Sequence, residues 1–185
     1  MKVKEEYRGL SRGELLDKIC NLGASYEKYS GSCSQCTVAT LQNVLGFEKA
    51  LVRAATSACG GHARQSTGTC GGVIGATMVL DYYFGRPFEK MSAVEKIPAN
   101  SQALGDAVSV VNLLCNCFLQ EYGSILCPGV QKKLFGKSFN MSIPEEFKAF
   151  EAAGGHSNPD KCLRVVGNSA RWAMEILLDR GAVEI

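Results

Sequence analysis

Residues 73–84, VIGATMVLDYYF, are apolar almost all round. A helix with no polar face is stable only when other helices enclose it. The segment lies between the glycine-rich loop 59–72, CGGHARQSTGTCGG, and the breaker GRPFEKMS. The rest of the chain supplies the enclosing helices. Residues 11–29 place Leu15, Ile19, Leu22 and Tyr26 at three- and four-residue spacing, with Ser11 as N-cap and Gly23 as a weak point. Residues 33–45 follow Ser32 as N-cap and stop at Gly46. Further helices are predicted at 47–58, with Phe47, Ala50, Leu51, Ala54, Ala55 and Ala58, and at 101–121. Pro128 and Gly129 then interrupt the chain after Cys127. A helix over 144–152 opens on Pro144, and the last one opens at Asn158-Pro159. That last helix carries Cys162, Val166, Ser169, Ala173 and Ile176 on one stripe and stops near Gly181. No alternating strand competes; DAVSVVNLL at 106–114 belongs to a longer helical context. The expectation is an all-α fold, a compact single-domain bundle of about six helices over 11–185, with 1–10 as an N-terminal tail.

A chain of 185 residues suffices for one domain with a real core. Net charge is +2 with 21% charged residues, so no clustered basic surface points to nucleic acid; Gln131-Lys132-Lys133 reads as a solvated helix face. The opening MKVKEEYRGLSRGELL has no apolar core of a signal peptide. The densest apolar runs, 73–84 and 104–119, are broken by Asp81 and by Ser109, Asn112 and Asn116, short of the roughly 18 residues a membrane span needs. A soluble, cytoplasmic protein with no membrane partner is expected. The glycine- and alanine-rich helices are compatible with a homodimer.

There are nine cysteines, an odd number and too few for a small disulfide scaffold. In a reducing compartment clustered cysteines mean metal or redox chemistry more often than structural bridges. Cys115 and Cys117 are two apart on a helix and cannot face one site together. With Cys20 they read as small buried residues. Cys33 and Cys36 form a C-x-x-C at the first turn of a helix, where the dipole favours a thiolate, the form needed both for ligation and for attack. No strand precedes them as in a thioredoxin-like site, and Thr37 rather than histidine follows, unlike a haem attachment site. Cys70 opens the central helix after the glycine loop, and Cys59 opens that loop. Gly71, Gly72 and Gly75 clear one face, for a neighbouring helix or for an inorganic group. Cys127 precedes Pro128, and Cys162 lies in the first turn of the last helix. Cys33, Cys70, Cys127 and Cys162 therefore share one setting, at or near a helix end. Were those ends to converge, they would form a tetrathiolate site.

The two histidines each stand near a candidate ligand: His62 before Cys70, and His156 before Cys162. Each reads as an exposed loop residue, a mixed-site ligand, a proton donor, or a hydrogen-bond donor to sulfur. Arg64 is a candidate contact for an anionic substrate or redox partner. No Ser-His-Asp pattern, phosphate loop or paired carboxylates stand out.

The blocks GSCSQCTVATLQ, TGTCGGVIGATMVLDYYFGR, YGSILCPGV and KCLRVVGNSARWAMEIL occur in the order and rough spacing of the C_GCAxxG_C_C family, whose members are described as redox-active. The resemblance runs over about residues 28–180. It matches Cys33 to the family's first cysteine, Cys70 to the one in its glycine motif, and Cys127 and Cys162 to its last two. The domain also resembles the non-haem part of split-Soret cytochromes, which implies an iron–sulfur centre. Gly72 stands where the motif has alanine, and Cys36 and Cys59 are additional thiols. The resulting expectation is a redox protein, electron-carrying or an oxidoreductase, that binds a 2Fe-2S or 4Fe-4S cluster through Cys33, Cys70, Cys127 and Cys162 and exchanges electrons with a redox protein partner. Cys36, Cys59, His62 and His156 are the alternate ligands. Two other readings stay open: a thiol/disulfide oxidoreductase using Cys33 and Cys36, and a zinc-stapled helical scaffold.

Overall fold

The computed structural model describes residues 1–185 and is all-α, with no strand. Eight α-helices form it, more than the six or so expected: α1 Arg12–Ser30, α2 Cys33–Leu45, α3 Lys49–Ala54, α4 Gly71–Phe84, α5 Pro98–Tyr122, α6 Cys127–Phe135, α7 Pro144–Ala152 and α8 Cys162–Asp179. The apolar segment is the central helix. α4 packs against α2, α5 and α8, and α1 closes the bundle against α8 and α2. Val73, Ala76, Val79 and Leu80 of α4 are buried against Leu41, Leu114, Phe118, Ala173 and Leu177 in one core.

Local sequence sets the helix ends as expected in α1. Ser11 Oγ accepts from the Glu14 N–H, the Glu14 carboxylate accepts from the Ser11 N–H, and Gly31 closes the helix in the left-handed region. Gly23 is no defect there. A Cβ on it would sit 3.1 Å from Gly167 Cα, so it is where α1 crosses α8. Ser32 does precede α2, but its hydroxyl donates to Thr56 O and caps nothing.

Four boundaries differ from the sequence reading. α3 is shorter than 47–58. α5 starts at Pro98, upstream of 101, because Pro is well placed in a first turn. Pro128 and Gly129 do not interrupt the chain but lie in the first turn of α6. α8 starts at Cys162 rather than at Pro159. Asn158 instead makes a turn in which its Oδ1 accepts from the Asp160 N–H, at 2.8 Å. Residues 1–10, read as a tail, pack along the bundle. Val3 and Tyr7 are buried, and Val3 N–H donates to Glu184 O.

By length and composition α5 is long and apolar enough to cross a membrane. One side of it, Val110, Leu114, Phe118 and Tyr122, belongs to the bundle core. Leu104, Val108 and Leu119 are exposed.

Candidate functional site: a thiol-lined cavity

The four cysteines singled out at helix ends all sit at helix N-termini. Cys33, Cys127 and Cys162 are the first residues of α2, α6 and α8, and Cys70 is the N-cap residue of α4. Those four N-termini meet. Cys33, Cys70, Cys127 and Cys162, together with Cys59, line a single cavity of about 40 Å³. Its other walls are Glu27 and Gly31 of the α1 end, Gln131 of α6, Phe147 and Phe150 of α7, and His156.

Close packing of α2 on α4 makes the first corner. A Cβ on Gly71 would lie 2.3 Å from Cys33 Sγ, and one on Gly75 would lie 2.3 Å from Ser34 O. One on Gly72 would lie 2.3 Å from Ser169 Oγ. The three glycines therefore admit neighbouring helices, α2 and α8, and in doing so they set Cys33 beside Cys70. A short antiparallel pairing makes the second corner: Cys70 N–H donates to Ile125 O at 2.8 Å and Cys127 N–H to Gly68 O at 2.9 Å. This ties the start of α4 to the start of α6.

The glycine loop is the roof. Gly60, Gly61, His62, Ala63 and Arg64 all have φ between 47° and 71°, one turn of left-handed helix, closed by Arg64 N–H to Cys59 O at 3.0 Å. For the three residues that carry a Cβ this costs about 1–2 kcal/mol each. The turn aims the Gly60 N–H at Cys33 Sγ, 3.4 Å away. It also puts Cys59 on the cavity wall and stacks the Arg64 guanidinium 5.0 Å from the Phe147 ring centre, at the rim.

Other donors point at sulfur. Gln131 Nε2 donates to Cys127 Sγ at 3.4 Å, while Gln131 Oε1 accepts the Phe139 N–H at 2.6 Å. The Gly72 and Val73 N–H groups at the start of α4 act to lower the Cys70 pKa, although the Cys70 side chain makes no capping hydrogen bond. Even so, burial dominates the protein as it stands. It pushes the Cys70 thiol up to about 12 and Cys127 to about 11, the nearby sulfurs adding to the effect. Cys33 and Cys162 rise well above the usual thiol value, through burial first and the Glu27 charge second. The lowering expected for a C-x-x-C at a helix start is thus overturned: desolvation outweighs the dipole. No three Cys, His, Asp or Glu side chains lie close enough together to hold one metal ion.

The alternates divide. Cys59 and His156 line the cavity. Cys36 does not; it is buried beside Glu27, its thiol pushed up to about 12 by burial and that charge. His62 is exposed on the left-handed turn. Cys20, Cys115 and Cys117 lie outside the cavity and are half-buried rather than buried as expected; Cys20 Sγ is 3.8 Å from Asn168 Oδ1.

Sequence reasoning missed Glu27 and placed Gln131 on a solvated helix face, whereas Gln131 is buried. Glu27 is 2% exposed. Its Oε1 lies 3.4 Å from His156 Nε2, and its Oε2 has no partner. His156 Nδ1 is 2.5 Å from Glu151 Oε1. Burial lowers the His156 pKa, but the hydrogen bonds and charges of Glu27 and Glu151 more than offset it, and the net shift is upward. A signal for Glu27 exists in the sequence. It is the last step of the buried ladder Leu15, Ile19, Gly23, Glu27, where an apolar residue belongs.

The helical protein thus gathers five cysteine thiols around one cavity, with the Gly60 N–H and Gln131 Nε2 turned toward two of the sulfurs. The family described as "Putative redox-active protein (C_GCAxxG_C_C)" matches residues 31–176, and the chain belongs to that family of redox-active proteins. No curated protein and no solved structure matches the chain.

Proposed function

We propose that the cavity holds an iron–sulfur cluster on Cys33, Cys70, Cys127 and Cys162 and that the protein carries electrons. The observation that carries this reading is the meeting of four helix N-termini, each presenting a cysteine, in one cavity. Cysteines this far apart in sequence have no packing reason to converge. Helix N-termini favour negative charge, and thiolates bound to iron are negative where free buried thiols stay protonated. Thiols that ring a space, with no three close enough for one ion, suit a polynuclear group better than zinc. When bound, such a cluster supplies a one-electron redox couple.

The chain's own residues supply the rest. The Gly60 N–H and Gln131 Nε2 donate to sulfur, which stabilises charge on the thiolates and raises the potential. Phe147, Phe150 and Val130 keep water from one side. Arg64 at the rim offers a cation to an acidic redox protein partner. Cys59 is a fifth thiol on the wall, able to replace one of the four. A Cys33–Cys36 dithiol gains no support, because only Cys33 reaches the cavity.

The test is anaerobic isolation with iron, acid-labile sulfide and zinc analysis and a visible spectrum. Iron and sulfide in near-equal amounts, with a broad band bleached by reductant, are expected. A colourless protein carrying zinc, or one that takes up neither iron nor sulfide on reconstitution, would overturn the proposal.

A further inference from the structure

Glu27, His156 and Glu151 form a chain that joins the cavity wall to the surface. Glu27 belongs to α1 and is 2% exposed; His156, between α7 and α8, is 18% exposed; Glu151, near the end of α7, is 37% exposed. The imidazole stands between the two carboxylates, at 3.4 Å from Glu27 Oε1 and 2.5 Å from Glu151 Oε1. An ionisable side chain buried in the core is costly unless it is paired or used. Half of Glu27 is paired, by His156. Its other oxygen has no hydrogen-bond partner, on a residue that lines the thiol cavity. No packing role accounts for that arrangement, since a leucine would complete the buried ladder of α1 without a charge.

The groups facing this chain come from every surrounding element. Glu27 sees Cys33 and Cys36 of α2 and Cys162 of α8, with Cys70 behind them. His156 sees Glu27 and Glu151, and packs on Phe150 at 5.2 Å and Phe147 at 6.5 Å between centres. Arg64, the cation on this side, lies over the outer ring of that pair, Phe147. His156 thus has carboxylates at both nitrogens and no sulfur between it and solvent. It is the one group on the wall placed to take a proton from water through Glu151 and hold it next to the cavity.

We propose that Glu151, His156 and Glu27 are a proton path from solvent to the thiol cavity, so that reducing the group held there takes up a proton on His156. The inference rests on the redox reading above. One electron arrives from a one-electron donor, such as a reduced viologen in vitro or an acidic electron-transfer protein. One proton arrives from water by way of Glu151 and comes to rest on the imidazole, whose Nε2–H then bonds Glu27. The charge added to the cavity is balanced at the far side of Glu27, and oxidation returns both particles. His156 and Glu27 act here as positioning residues for the proton and do not ligate the group.

The test uses the full chain loaded with iron and sulfide, titrated spectroelectrochemically between pH 6 and 9. The reduction equilibrium of wild type is expected to change tenfold per pH unit over part of that range, about 59 mV per unit for one electron. In His156→Gln and in Glu27→Gln the dependence flattens, while the visible spectrum and helical circular dichroism stay as in wild type. A wild-type protein that binds iron and sulfide but whose equilibrium ignores pH overturns the path and leaves the cluster reading standing. Absence of iron and sulfide would instead overturn the cluster reading. The path is then judged by NMR titration of the imidazole in the metal-free full chain. His156 should titrate above the free-histidine range in wild type and lower in Glu27→Gln. No difference between the two would overturn it.

Discussion

Substituting Gly71 by alanine should damage the protein, although alanine is the better helix former. A Cβ at Gly71 would meet Cys33 Sγ at 2.3 Å, Ser34 N at 3.0 Å and Cys59 Cα at 3.1 Å. Ordinary heavy-atom contact needs about 3.5 Å, so the sulfur overlaps by about 1.2 Å. The other two obstacles are backbone and cannot swing away. Either α4 retreats from α2 or the Cys33 thiol leaves the corner it shares with Cys70. Overpacking of this kind costs about 1–3 kcal/mol, more than the propensity gain of up to about 1 kcal/mol at an ordinary helical site. Gly105 in α5 provides the matched control. It is exposed, with nothing within 4 Å of an added Cβ. Gly105→Ala should stabilise by about 0.5–1 kcal/mol. Urea unfolding of the metal-free chain followed by circular dichroism should therefore show the two midpoints moving in opposite directions at unchanged slope. If Gly71→Ala unfolds at the wild-type midpoint or above it, α2 and α4 do not approach as described, and the account of how Cys33 meets Cys70 fails.

The thiol environment makes a pH prediction. Cys33, Cys70, Cys127 and Cys162 have raised values in the folded state, so their contribution is complete below the unfolded thiol value of about 8.5 and is lost as pH rises beyond it. The metal-free chain should lose stability above that pH, with the ultraviolet thiolate absorbance of these four thiols appearing on unfolding. His156 has the same sign: its stabilisation is full below about pH 6.5, the unfolded value, and fades as pH rises through the raised folded value. Glu27→Gln should weaken that dependence in pH-resolved unfolding curves. Gln131→Leu should destabilise by about 1–3 kcal/mol in the same assay, because it leaves the buried Phe139 N–H without its acceptor.

The helices were legible because each is read from three or four neighbouring turns. The stripe of α1 with its Ser11–Glu14 capping box, the stop at Gly46 and the all-round apolar α4 needed only local spacing. α6 escaped because Pro128 and Gly129 look like a break, although Pro is harmless in a first turn. The start of α8 was misplaced because Asn158-Pro159 satisfies a cap pattern, whereas Asn158 closes its own turn. At the site, the pattern of one cysteine per helix start was visible in the sequence, but the meeting of those starts depends on tertiary packing at Gly71, Gly75 and the 68–70 to 125–127 pairing. The left-handed roof was hidden as well. Its Ala63 and Arg64 are not residues that announce a positive φ. Cys59 and Cys36 looked equivalent as spare thiols, and only the fold separates the one on the wall from the one behind it.

The most direct test of the central claim is to reconstitute seven single Cys→Ala variants anaerobically with iron and sulfide and compare the iron-dependent visible band of each with wild type. The account predicts that alanine at Cys33, Cys70, Cys127 or Cys162 abolishes or shifts the band, while alanine at Cys20, Cys115 or Cys117 leaves it intact. A band that survives at the cavity positions and fails at the packing positions would contradict it.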